Sequence, residues 1–371
     1  MSTSAAGHPT YESIGVRPLI NCMGTYTIIS GSLMLPEVRR AINEASKAYV
    51  HLDELMERVG ARIADLMQCE SGMVTNGCAA ALCQVTAACV AGMDPDKMKR
   101  LPDTSGMKNR VITQPSHRHV YDHAIRMVGV EIVEVETPLE LEAAVDESTA
   151  MIAIFGDAAD RGTITVPEIV NIARKYTVPT FVDAAAERPD VPNPYLAEGV
   201  DVVAYSGGKC LRGPQASGLV LGRKDILHAA FMNGAPHHSL ARPMKAGKEE
   251  VMGLLAAVEQ WVRRDHDAEW KEWERRLETI ADAIADIPTL TTDILQPGRS
   301  NVAPVLSINW DVENVCITPE EARRQLSDND PRIELFHTGT GVEVMPYMME
   351  DGEDEIVARR LRHVLERALP A

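Results

Sequence analysis

The chain has 371 residues, 45% of them apolar and 25% charged, the balance of a folded protein with a sizeable core rather than of a disordered or fibrous one. A formal net charge of −17 repels phosphate backbones and so disfavours a nucleic-acid substrate. No run of about eighteen apolar residues occurs, so no transmembrane helix is expected.

The start, Met1 to Thr10, is small and polar and lacks the basic-then-apolar build of a secretory signal, from which a cytoplasmic location is expected. Seven cysteines, an odd number with no Cys-x-x-Cys pair, support neither a zinc knuckle nor a disulfide framework. Cys78, Cys83 and Cys89 fall in an Ala-rich stretch and read as buried thiols of a helix.

Between residues 70 and 222, short β-branched runs alternate with helical stretches, the pattern of an α/β fold with a mostly parallel sheet. Strands are expected over 73–75, 110–113, 131–136, 151–155, 180–183, 200–205 and 218–221. Helices are expected over 79–90, 120–128, 166–176 and 224–232. Residues 94–109 are polar, with Pro, Gly and Lys, and read as a long loop. One long helix is expected over 248–287, then strands over 289–295, 303–309 and 341–344, and an amphipathic helix over 353–365. This last third reads as a smaller α+β domain.

Four segments carry chemistry. Lys209 follows two glycines at the end of the 200–205 strand, where open α/β sheets bind ligands. A lysine partly desolvated there is nucleophilic. Asp183 ends an apolar strand 26 residues earlier and can hold a heterocycle's ring nitrogen protonated. Thr75-Asn76-Gly77-Cys78 passes from a strand into an Ala-rich helix, whose free N–H groups suit a phosphate. Ser206 can add a hydroxyl to the same anion. His117 and His119 follow the 110–113 strand; one imidazole can stack on a planar ring, and His117 is favoured. A third ligand with zinc spacing is absent, so no metal is expected.

Further stretches extend the pattern: Tyr-Glu-Ser-Ile-Gly-Val at 11–16, Leu-Ile-Asn-Cys-Met-Gly-Thr at 19–25, and Asp-Ala-Ala-Ala-Glu at 183–187. Ser-Gly-Gly-Lys-Cys-Leu-Arg-Gly-Pro-Gln-Ala-Ser-Gly spans 206–218, and Ala-Arg-Pro-Met-Lys and Gly-Lys-Glu-Glu follow at 241–245 and 247–250. In this order they resemble the fold-type I enzymes dependent on pyridoxal 5′-phosphate (PLP). Within these they resemble the selenocysteine-synthase-like (L-seryl-tRNA selenium transferase-like) group, over nearly the whole chain.

That resemblance implies a large PLP-binding domain (46–255) with a mostly parallel seven-stranded sheet. It also implies an N-terminal segment (1–45) closing over the active site and a smaller α+β C-terminal domain (256–371). It implies PLP held as a Schiff base on Lys209, with Asp183 on the pyridinium nitrogen and His117 stacked on the ring, His119 being the other imidazole. Thr75, Asn76, Gly77, Cys78 and Ser206 would surround the phosphate. Asn21, Thr25 and Arg242 would face the substrate, and Arg212, Arg242 and Arg332 are all candidates for its carboxylate. A homodimer or a higher homo-oligomer is implied.

Two branches of the group differ in substrate. Bacterial selenocysteine synthases act on seryl-tRNA and carry an additional N-terminal domain, whereas this sequence starts close to the catalytic core and is acidic. The 183–187 and 242–245 stretches resemble the D-glucosaminate-6-phosphate ammonia-lyase branch better. The expectation is a PLP-dependent lyase performing α,β-elimination and deamination of a small hydroxylated amino acid or amino-sugar acid. A PLP-dependent transferase, acting on an aminoacyl-tRNA or as an aminotransferase, is the alternative.

Overall fold

The structure is a computed structural model that describes residues 8–370; most of the segment read above for a signal lies outside the described residues. The chain forms two compact units. The larger comprises Ser30–Arg264 with Gly298–Val302; the smaller comprises the chain up to Ile29, Asp265–Pro297 and the chain from Ala303 onward.

The larger unit is built on β1 (Ser71–Thr75), β2 (Arg110–Thr113), β3 (Glu131–Glu134), β4 (Thr149–Phe155), β5 (Thr180–Asp183), β6 (Val202–Ser206) and β7 (Gly218–Gly222). Their order across the sheet is β1-β7-β6-β5-β4-β2-β3, parallel except for β7, which runs against both its neighbours. Strands β5 and β7 are buried along their whole length, as expected of a sheet covered by helices on both faces. Helix α1 (Gly77–Ala91) is made almost entirely of Ala, Cys, Val, Leu and Thr and is buried on nearly every side. Its Leu82, Cys83 and Val85 join Val111, Met151, Phe181, Val202 and Val220 in one core.

The register sets the site. Thr75 pairs with Gly218, and Gly218 with Ser206. Asp183 pairs with Phe155 on one side and Ala204 on the other. The carboxyl ends of β1, β4, β5 and β6 therefore open at one edge of the sheet, the edge where ligands bind in such folds.

Three expectations change. Residues 94–109 are not all loop: Pro95–Arg100 is a helix, begun by Asp94 accepting the N–H groups of Asp96 and Lys97. The long helix is two, Lys248–Trp261 and His266–Asp282, and the second starts where the Asp265 carboxylate caps Ala268. The 120–128 helix shrinks to a 3₁₀ turn, Val120–Asp122, and a single helical turn, His123–Arg126. Helices Pro36–Ala45, Leu52–Met67 and Pro319–Asp328 were not foreseen.

The smaller unit has an antiparallel sheet of β8 (Thr291–Leu295), β9 (Val305–Asn309), β10 (Phe336–His337) and β11 (Gly341–Val344), in the order β10-β11-β9-β8. A two-residue parallel ladder joins Ile20–Asn21 to Ile333–Glu334. Leu277, Ile280, Leu306, Ile308, Val342 and Leu361 form its core. Among the described residues no helix is long and apolar enough to cross a membrane.

Candidate active site

Strand β6 ends at Ser206, and the chain turns through Gly207 and Gly208 to a half-buried Lys209. Gly207 N–H donates to Ser217 O at 2.8 Å, and Gly213 N–H to Gly207 O at 2.8 Å. Arg264 braces the far side, donating to Cys210 O at 3.2 Å and Leu211 O at 2.7 Å while lying 5.2 Å over the Trp261 ring. The lysine thus sits on a fixed platform, which a nucleophile needs if its amine is to meet one reacting atom.

Asp183, at the end of β5, is 5% exposed. Its Oδ1 accepts from the Cys78 thiol at 3.2 Å and from Ala185 N–H at 3.1 Å. Among the described residues, no hydrogen bond reaches Oδ2. Phe155, Phe181, His117, His119 and Asp183 line one crevice. Burial and the adjacent Asp183 charge push the Cys78 thiol well above the usual range, against an opposing pull from Lys209.

The two histidines part ways. His117 is buried; its Nδ1 accepts from Phe155 N–H at 3.2 Å and its Nε2 lies 3.4 Å from the Gln114 amide. Burial lowers its pKa to about 4, so it stays neutral. His119 is half-exposed and stacks on Phe155, centroids 3.8 Å apart and planes 22° from parallel. Burial lowers its pKa too, and the charge of Asp183 opposes that shift. Both histidines line the crevice, His117 with Nδ1 held at the end of β4 and His119 with its ring against Phe155.

Helix α1 begins at Gly77, whose φ of +78° favours glycine, and no side chain caps it. The Asn76 amide donates instead to Lys245 O at 2.8 Å, and the Thr75 hydroxyl to Gly77 O at 2.9 Å. A Cβ built on Gly77 would meet nothing within 4 Å. Uncapped N–H groups facing open space at a helix start make a cradle for an anion. Gly218 keeps it open from below: a Cβ there would stand 2.5 Å from Thr75 Oγ1 and 2.6 Å from the Gly77 carbonyl carbon.

Of the three arginines, Arg332 pairs with Glu334 at 2.8 Å in the smaller unit, and Arg212 donates to Leu33 O at 3.0 Å. Arg242 has a buried Nε with no hydrogen-bond partner among the described residues. Asn21 closes its own turn, its Oδ1 accepting from Met23 and Gly24 N–H at 2.9 Å each. The Thr25 hydroxyl lies 2.8 Å from Tyr347 Oη. Both belong to the smaller unit, and Lys209, Asp183 and α1 to the larger.

Sequence reasoning missed one buried group. Glu187 is 7% exposed, its carboxyl meets the Tyr195 hydroxyl, and burial raises its pKa to about 7. Its acidic type inside an Ala-rich turn was the only available signal.

An amine at a strand end, an unmatched carboxylate oxygen in the adjoining crevice and an uncapped helix start fit the aldehyde, ring nitrogen and phosphate of PLP. Comparison with known proteins agrees. The model of the family described as aminotransferase class-V matches residues 38–242. The D-glucosaminate-6-phosphate ammonia lyase of Salmonella typhimurium is 30% identical over 96% of this chain and 98% of its own. The 5'-C-glycyluridine monooxygenase-decarboxylase of a Streptomyces species is 31% identical over 96% and 92%. An L-seryl-tRNA(Sec) selenium transferase of Geobacter sulfurreducens is 26% identical over 74% of this chain but only 60% of its own. The solved structure of D-glucosaminate-6-phosphate ammonia-lyase matches with a TM-score of 0.86 at 29% identity, over 98% of this chain and all of that one. The chain belongs to the aminotransferase class-V family of PLP-dependent enzymes, with the fold-type I architecture.

Proposed function

We propose that the protein is a PLP-dependent lyase that eliminates water from, and deaminates, a small hydroxylated amino acid or amino-sugar acid of the D-glucosaminate 6-phosphate kind. One observation carries the reading: likeness to the ammonia-lyase spans both chains almost end to end and includes the edge where Lys209, Asp183 and the start of α1 converge.

Bound PLP supplies an electron sink for charge developing at the substrate's α-carbon. Lys209 would carry the cofactor on its amine, and that amine is the base placed to take the substrate's α-proton. Asp183 offers Oδ2 to the ring nitrogen and keeps it protonated. His119, the more exposed of the two imidazoles, would stack on the ring in place of His117. The N–H groups of Gly77 and Cys78, with the Ser206 hydroxyl, hold the phosphate, while Thr75 and Asn76 fix the cradle's shape. Arg242 would meet the substrate's anionic end. The protein acts on a small molecule, without nucleic acid, in the cytoplasm, and as a homodimer or higher homo-oligomer.

Purified, PLP-loaded protein mixed with D-glucosaminate 6-phosphate should release ammonia and a 2-keto acid, and Lys209→Ala should not. Bound cofactor with neither product would reject this substrate and this activity. The likeness to the Streptomyces enzyme supports a second reading, oxidative decarboxylation of an amino acid. Oxygen uptake and carbon dioxide release, followed in the same assay, separate the two.

A further inference from the structure

Cys78 is an unusual neighbour for the carboxylate that serves a pyridine nitrogen. As the second residue of α1, it contributes its main chain to the phosphate cradle. Its side chain is buried in the core cluster that includes Leu82 and Phe181, and reaches Asp183 Oδ1 at 3.2 Å. The Ala185 N–H reaches the same oxygen at 3.1 Å. Two donors from two different segments therefore hold Oδ1, and Oδ2 is left for the cofactor.

We propose that Cys78 is a positioning residue for Asp183: its thiol donates to Oδ1, fixes the carboxylate plane so that Oδ2 meets the ring nitrogen, and keeps the shared proton on that nitrogen. The inference rests on the PLP reading of the site. The physical reason is charge distribution. A donor on one carboxylate oxygen draws electron density from the other, so the proton shared with Oδ2 stays on the ring nitrogen. An ionised thiol would do the opposite and repel Asp183. Burial and the Asp183 charge both oppose that ionisation, so the group remains an S–H donor at working pH. The geometry also links the two ends of the cofactor, since one residue serves the phosphate with its backbone and the ring nitrogen's partner with its side chain.

The test loads apo-protein with PLP labelled with nitrogen-15 in the ring and compares wild type with Cys78→Ala, Cys78→Ser and Cys78→Val. It records the ring-nitrogen chemical shift, the PLP dissociation constant and the melting temperature of the apo-protein. In the alanine and valine variants the ring-nitrogen signal should move toward neutral pyridine and PLP should bind about three- to tenfold more weakly. Serine, which keeps a donor, should restore both to within about twofold. Valine removes the donor without leaving a cavity, so it carries the test if alanine fails to fold. A ring-nitrogen signal unchanged in alanine and valine overturns the proposal, even if melting falls, because Cys78 would then only fill space. Wild-type protein that takes up no PLP overturns the PLP reading and this inference together; wild type that binds PLP beside unaffected variants overturns the inference alone.

Discussion

The hydroxyl of Tyr195 stands 2.9 Å from each carboxyl oxygen of Glu187, and both side chains are buried. Arg299 donates to the same hydroxyl at 3.1 Å but stays 4.0 Å from the carboxyl and is itself paired with Asp160. The positive charge is thus mostly spent elsewhere, and desolvation wins: the carboxyl's pKa rises to about 7. Between its ordinary value of 4.5 and about 7, the folded state holds a proton that the unfolded state has lost. Folding stability from this group is greatest below pH 4.5 and falls as pH rises to about 7. The total is on the order of 3 kcal/mol. Glu187→Gln should therefore be more stable than wild type near pH 8, and by much less near pH 5, in urea titrations at the two pH values. Equal stability at both would mean that Glu187 is ionised and well compensated.

His117 acts in the opposite sense. Burial lowers its pKa from 6.5 to about 4, so in this window the unfolded state binds the extra proton. Its contribution is fully present above pH 6.5 and is lost as pH falls toward 4. From about 4.5 to 6.5 the two groups offset each other, each with a slope of about 1.4 kcal/mol per pH unit. Relative to wild type, His117→Gln should lose stability with rising pH across this window, and Glu187→Gln should gain it. Two difference curves of the same sign would refute the assignment.

The histidines also differ in what their loss should do to the cofactor. His119→Ala removes the ring stacked on Phe155 and should weaken PLP binding about tenfold, with a stability change near 1 kcal/mol. His119→Phe should recover most of the affinity. His117→Ala should do the reverse, lowering the melting temperature because the Phe155 N–H loses its acceptor. PLP titration and thermal melting of the same samples decide between them. If His117→Ala alone weakened PLP, the ring-facing role would return to His117.

Gly218 and Gly77 support the cradle for different physical reasons. A methyl on Gly218 would be forced against backbone, 2.6 Å and 2.7 Å from the Gly77 carbonyl carbon and oxygen. Gly218→Ala must therefore shift the start of α1, and should reduce PLP affinity at least about tenfold with a stability cost of about 1–3 kcal/mol. Gly77→Ala meets open space, and its cost is backbone strain at φ +78°, about 1–2 kcal/mol. Equal PLP binding in wild type and Gly218→Ala would show that the anion does not sit over this helix start.

Where the fold was legible, local chemistry and tertiary structure agree. The helix expected over 166–176 is found with those bounds, and in the structure Thr165 and Glu168 form a capping box at its start. Strand 180–183 was equally clear, an apolar run stopped by Asp183. The helix expected over 248–287 was overextended because its charged, aromatic composition continues unbroken through Asp265, which acts as a cap only once the backbone has turned. The placing of Asp183 and Lys209 at one sheet edge was legible because Asp183 ends β5 and Lys209 follows the end of β6 by three residues. How differently His117 and His119 are held was not, since residues two apart in an irregular segment carry no periodic signal. The Cys78–Asp183 bond joins residues 105 positions apart, and no local pattern announces it.

Asp183 gives the last prediction. Asp183→Asn keeps the size and an oxygen that accepts from Cys78 and Ala185, so the core should survive and the melting temperature should change little. What disappears is the charge opposite the ring nitrogen. The variant should still take up PLP, because Lys209 and the α1 cradle are intact, but ammonia release should fall by a factor on the order of 100 or more, in kcat rather than in KM. The distinction matters, because a residue that only shaped the pocket would lose substrate affinity first. Turnover within about tenfold of wild type would remove the ring-nitrogen role from Asp183. It would also leave the thiol of Cys78 bonded to a carboxylate with no part in the chemistry.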